Sequence, residues 1–106
     1  MQEKSIIHDE VMRVSRKLGI EVREIILFGS RARGTARKDS DWDILILTDR
    51  PLGWRERLRF TGDIQRELAR KGLATDILVI SKDELERIKD SKEYVYYYAL
   101  REGVRI

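Results

Sequence analysis

The chain has 106 residues, 22 Lys and Arg against 19 Asp and Glu, a net charge of +3 and no cysteine. This length allows one domain with a modest core, and the lack of thiols excludes disulfides, thiolate metal sites and cysteine nucleophiles. The charge is too small to indicate nucleic-acid binding by itself, and no apolar run approaches the roughly 18 residues of a membrane span, so the expectation is a single cytoplasmic domain over residues 1–106 with no membrane contact.

Ile7, Val11, Val14 and Leu18 recur at helical spacing, which predicts a first helix over Ser5–Leu18, capped by Ser5 and Gly19. The run Ile25-Ile26-Leu27-Phe28 predicts a strand over Val22–Phe28, covered on both faces and ended by Gly29. Ser30–Arg33 reads as a short helical turn stopped by Gly34, with an exposed loop over 34–40. Trp42–Leu47 predicts a second strand, with Asp41 and Asp43 facing one way and Trp42 the other. A turn over Asp49–Gly53 leads into a long helix, Trp54–Lys71, with Leu58, Thr61, Ile64 or Gln65, and Leu68 as its apolar stripe and Gly72 as its C-cap. Ala74–Ile80 predicts a third strand with Asp76 near its start. Ser81 and Glu84 have capping-box spacing for a short helix. Tyr94–Glu102 predicts a final helix ended by Gly103, and Val104–Ile106 reads as a short apolar tail. The short link between the first two strands favours antiparallel pairing, and the helix between the second and third permits a parallel crossover. The fold class is therefore α/β (α+β), a small mixed sheet flanked by helices.

Chemistry concentrates at the strand mouths. Asp41 and Asp43 stand two residues apart where the most apolar run begins, and Asp76 repeats the setting of an acid followed by an apolar strand. Unpaired carboxylates there repel one another and lose hydration, and a divalent cation removes both penalties. Magnesium takes hard oxygen ligands, so three converging carboxylates suit one or two such ions. Gly29-Ser30, between a strand and a helical turn, suits phosphate: glycine permits close approach, and Ser30 offers a hydroxyl and an N–H. Residues 29–36 match neither a Walker A loop nor a dinucleotide fingerprint. Arg31, Arg33, Arg37 and Lys38 surround this turn, and Arg33, then Arg31, are the candidate phosphate clamps because guanidinium meets phosphate bidentately.

Gly29-Ser30, ten intervening residues and Asp41-Trp42-Asp43 closely resemble the motif of the minimal nucleotidyltransferases of the DNA polymerase beta-like superfamily. The resemblance runs from the first helix to the third strand. It implies a nucleotidyltransferase fold, two magnesium ions held by Asp41, Asp43 and Asp76, and a nucleoside triphosphate, ATP, whose outer phosphates meet Gly29 and Ser30. Many such proteins pair with a helical HEPN protein, and some are antitoxins of toxin–antitoxin systems that transfer AMP from ATP to a tyrosine of the HEPN toxin. Carried over, this makes the chain a magnesium-dependent adenylyltransferase and antitoxin, with Asp76 the direct proton acceptor. A non-catalytic, partner-binding antitoxin module is the alternative, and a metal-dependent nuclease a third reading that the Gly-Ser element disfavours. Finally, Tyr94, Tyr96, Tyr97 and Tyr98 crowd the last helix. The expectation is that Tyr94 and Tyr98 are buried while Tyr96 and Tyr97 serve a homodimer or partner surface.

Overall fold

The computed structural model describes residues 2–106. In chain order its elements are α1 (Gln2–Leu18), β1 (Val22–Phe28), α2 (Ser30–Arg33), β2 (Trp42–Thr48), α3 (Trp54–Arg70), β3 (Thr75–Ser81), α4 (Lys82–Ile88), α5 (Val95–Glu102) and β4 (Val104–Arg105). The four strands form one mixed sheet in the order β3-β2-β1-β4. β1 runs antiparallel to β2 and β4, and β2 runs parallel to β3. Both strand orientations agree with the connection lengths.

Strand alternation divides the core into two layers. On one face Ile25, Leu27, Trp42, Ile44, Ile46 and Val79 meet Ile7, Val11 and Val14 of α1 and Phe60, Ile64 and Leu68 of α3. On the other, Ile26, Leu45, Leu47 and Ile80 meet Leu85 of α4 and Ala99 of α5. Fully burying aliphatic and aromatic side chains contributes about 1.5–3 kcal/mol each, so these two layers supply most of the force holding the sheet between its helices. Asp43 has the strand parity of Leu45 and Leu47, and Asp76 that of Leu78 and Ile80. Both acids therefore belong to the face covered by α4 and α5.

Four expectations are corrected. α1 begins at Gln2, so Ser5 lies inside it and is not its N-cap; Gln2, Glu3 and Lys4 are good helix formers, and Glu3 favours the positive end of the helix. In α3 the buried line is Phe60, Ile64 and Leu68, whereas Leu58 is 62% exposed; Leu58 lies about 200° around the helix from Phe60. The tyrosines are the reverse of the expectation. Tyr94 and Tyr98 are 45% and 50% exposed, while Tyr96 and Tyr97 are half-buried, because α5 docks through Ala99 with Tyr96 and Leu100 beside it. The apolar tail is a strand: Val104 and Arg105 pair with Leu27 and Ile26, and the Ile106 N–H donates to the Ile25 carbonyl at 3.0 Å. Pairing there covers an edge of β1 that would otherwise leave backbone donors and acceptors bare. The capping box of α4 is complete, with Ser81 Oγ accepting from the Glu84 N–H at 3.2 Å and the Glu84 carboxylate accepting from the Ser81 N–H.

Candidate active site at the mouths of β2 and β3

Parallel register puts Asp43 directly beside Asp76, and antiparallel register puts Phe28, the residue before Gly29, opposite Asp43. The Trp42 N–H donates to the Ala74 carbonyl at 2.9 Å, which ties the two strand mouths together. Asp43 is half-buried, while Asp41 and Asp76 are exposed, so the carboxylates lie on an open edge of the sheet. The Asp43 carboxyl is held above its ordinary pKa by burial first, then by the negative charges of Asp76 and Asp41; the positive charge of Arg33 opposes the rise. Asp76 and Asp41 thus each act on Asp43.

The Gly-Ser turn is fitted to Asp43. Gly29 has φ 74° and ψ −158°, a backbone region essentially confined to glycine. A Cβ placed on it would lie 2.1 Å from Oδ2 of Asp43 and 3.0 Å from its Cγ. Glycine is thus favoured twice, once for its dihedrals and once because a Cβ would push the carboxylate out of its place. α2 opens at Ser30, and the Gly29 carbonyl accepts from the N–H groups of Ala32 and Arg33 at 3.1 and 3.0 Å. Ser30 and Arg31 occupy the first turn, where backbone N–H groups have no acceptor within the helix.

The two arginines of α2 diverge. Arg33, on the carboxylate side, is exposed, and its Nη1 donates to Oε1 of Glu102 at 2.8 Å. Arg31 lies on the face of Trp42, its guanidinium 4.5 Å from the ring centroid, and its Nη2 donates to the Ser40 carbonyl at 2.7 Å. Arg31 therefore pins the 34–40 loop against Trp42 on the opposite face of the sheet from Asp43. The pairing of Glu102 with Arg33 was not legible in the sequence: Glu102 lies far along the chain from the motif, and nothing local marks it.

The chemistry of the donor set fits divalent cations. It presents oxygen ligands only, with Asp43 and Asp76 in register and under mutual repulsion that a cation relieves. Among the described residues no three His, Cys, Asp or Glu side chains are gathered closely enough to form a ready metal cage.

The sequence model of the Nucleotidyltransferase domain matches residues 11–98, and the chain belongs to that family. Solved structures share its fold. One is a toxin–antitoxin complex with AMP-PNP, 18% identical over 92% of this chain and 69% of the other, TM-score 0.61. A second is a Sulfolobus solfataricus protein assigned as a nucleotidyltransferase, 21% identical over 97% and 80%, TM-score 0.60. A third is a tri-AMPylated Shewanella oneidensis HEPN toxin in complex with its MNT antitoxin, 16% identical over 99% and 71%, TM-score 0.59. No curated protein matches the chain. No helix among the described residues is long and apolar enough to cross a membrane.

Proposed function

We propose that the chain is a magnesium-dependent nucleotidyltransferase that moves AMP from ATP to a tyrosine hydroxyl of a HEPN toxin and acts as its antitoxin. The observation that carries this reading is the placement of Asp43: in register with Asp76 across parallel strands, and so close to Gly29 that a Cβ there would displace its carboxylate. A carboxylate row against a Gly-Ser turn joins a cation site to a phosphate site on one edge. Asp41, Asp43 and Asp76 would hold two ions, which when bound neutralise the triphosphate and lower the pKa of the acceptor hydroxyl.

The chain's own groups divide the remaining work. Gly29 lets the outer phosphates approach the backbone, Ser30 donates from its N–H and hydroxyl, and Arg33 takes phosphate oxygens from the carboxylate side. Arg31 contributes by fixing the loop that leads to Asp41. Asp76, exposed at the rim, accepts the hydroxyl proton as the tyrosine oxygen bonds to the α-phosphorus. The bond from that phosphorus to the β-phosphate bridging oxygen breaks, and pyrophosphate leaves. The open edge suits an acceptor presented by another protein, and the AMP-PNP and AMPylated-HEPN complexes of similar fold support that choice. The test is incubation with a HEPN partner, magnesium and ATP labelled at the α-phosphate. Label on a partner tyrosine, lost in Asp43→Asn and Asp76→Asn, is the expected result. A partner neutralised equally well by the Asp43→Asn protein, without label, would identify a binding module instead.

A further inference from the structure

The C-terminal end of α5 reaches the site. Arg33 and Glu102 are 69 positions apart, yet Nη1 of the first lies 2.8 Å from Oε1 of the second. The position of Glu102 is set by scaffold on both sides. Ala99, one turn earlier, is fully buried. At Gly103, one residue later, a Cβ would lie 2.2 Å from the Ala99 carbonyl oxygen and 2.4 Å from Cγ2 of Ile26. Val104 then pairs with Leu27 in the sheet. The Glu102 carboxylate is therefore delivered by a packed helix end locked to the same strand that leads into Gly29.

The contact with Arg33 is end-on. One guanidinium nitrogen meets one carboxylate oxygen, whereas the group carries five N–H donors in a planar fork. The rest of the fork can still take two phosphate oxygens in parallel. Both side chains reach water, and an ion pair so exposed adds little to folding. What it does is restrict a long side chain that would otherwise lose its rotamer freedom on gripping a ligand. The positive charge of Arg33 is also felt by Asp43, so the side chain that Glu102 holds is one coupled to the carboxylates.

We propose that Glu102 is a positioning residue for nucleotide binding: it holds Arg33 by one nitrogen so that the remaining edge of the guanidinium meets the triphosphate. The proposal rests on the transferase reading above and adds to it a residue outside the Gly-Ser and Asp-x-Asp motifs. The experiment is calorimetric binding of a non-hydrolysable ATP analogue with magnesium to the full chain, with Glu102→Ala, Glu102→Gln, Arg33→Ala and the Arg33→Ala/Glu102→Ala double variant. Thermal melting of each variant runs alongside. Glu102→Ala should weaken binding roughly three- to tenfold, with Glu102→Gln intermediate because its amide oxygen keeps an acceptor without the charge. In transfer assays KM for ATP should rise while kcat changes less than about twofold. In the Arg33→Ala background, loss of Glu102 should have no further effect. Unchanged or tighter binding by Glu102→Ala, or equal weakening with and without Arg33, overturns the proposal. If Glu102→Ala melts early, Glu102→Gln and an Arg33→Ala/Glu102→Gln double variant replace the alanine pair and decide by the same criteria. Failure of the unaltered chain to bind the analogue overturns the transferase reading and this proposal together, whereas binding that responds to Arg33 but not Glu102 overturns this proposal alone.

Discussion

Replacing Gly29 with alanine separates two reasons for a glycine at the turn. The backbone at φ 74°, ψ −158° is strained for any residue with a Cβ, at a cost of about 1–3 kcal/mol. The new Cβ would also stand 2.1 Å from Oδ2 and 3.0 Å from Cγ of Asp43, well inside contact distance. Asp43 has a short side chain that can rotate away, so the steric part should appear mainly as a displaced carboxylate. Gly29→Ala should lose about 2 kcal/mol in urea unfolding, and a small domain loses about 4–8 °C of melting temperature per kcal/mol. Nucleotidyl transfer should be abolished. In the Asp43→Ala background the Oδ2 and Cγ overlaps are gone, so the same Gly29 change should cost less there by about 0.5 kcal/mol or more. Unchanged stability and activity in Gly29→Ala would mean that neither the dihedrals nor the carboxylate demand glycine at this turn, and strictly additive effects would remove the link between Gly29 and Asp43.

The sign of the pH dependence follows from Asp43, whose folded pKa is raised by burial and by Asp76 and Asp41. A raised folded value means that its stabilising contribution is present at low pH and lost as pH rises through that value. In chelator, Asp43→Asn should therefore be more stable than the parent at neutral pH, and the gap should close below the ordinary carboxylate range near about pH 4; equal stability across the range, measured by urea melts, would contradict this. Phe60→Ala, at a fully buried position, should cost about 3–5 kcal/mol, while Leu58→Ala, 62% exposed, should stay within about 0.5 kcal/mol. Ser81→Ala breaks the capping box of α4 and should cost about 1 kcal/mol in thermal unfolding. An unchanged melting temperature would mean that the box contributes nothing to folding.

What could be read from the chain was whatever is local or periodic. β1 and α2 match their predicted limits because apolar runs, glycines and a short turn define them from within. The pairing of Asp43 with Asp76 was legible because each acid opens an apolar strand and the intervening helix is long enough for a parallel crossover. What escaped depends on contacts distant in sequence. The side of α5 that turns inward is decided by where Ala99 joins the core layer of Ile26 and Leu45, and four neighbouring tyrosines give no such preference by themselves. Val104 and Arg105 become a strand only because β1 has an open edge. Leu58 is as apolar as Phe60, and the choice between them belongs to the geometry of α3 against the sheet. Glu102 meets Arg33 only after the whole domain has folded.

The reading proposed above makes the edge formed by Asp41, Asp43, Asp76 and Gly29-Ser30 a combined cation and triphosphate site. A crystal structure with manganese and a non-hydrolysable ATP analogue, using manganese anomalous scattering to locate the ions, tests it most directly. Anomalous peaks should lie between the three carboxylates and the phosphates, with the outer phosphates at Gly29-Ser30 and Arg33 on the same side. Nucleotide bound elsewhere, or manganese that leaves Asp43 and Asp76 without a ligand between them, would contradict it.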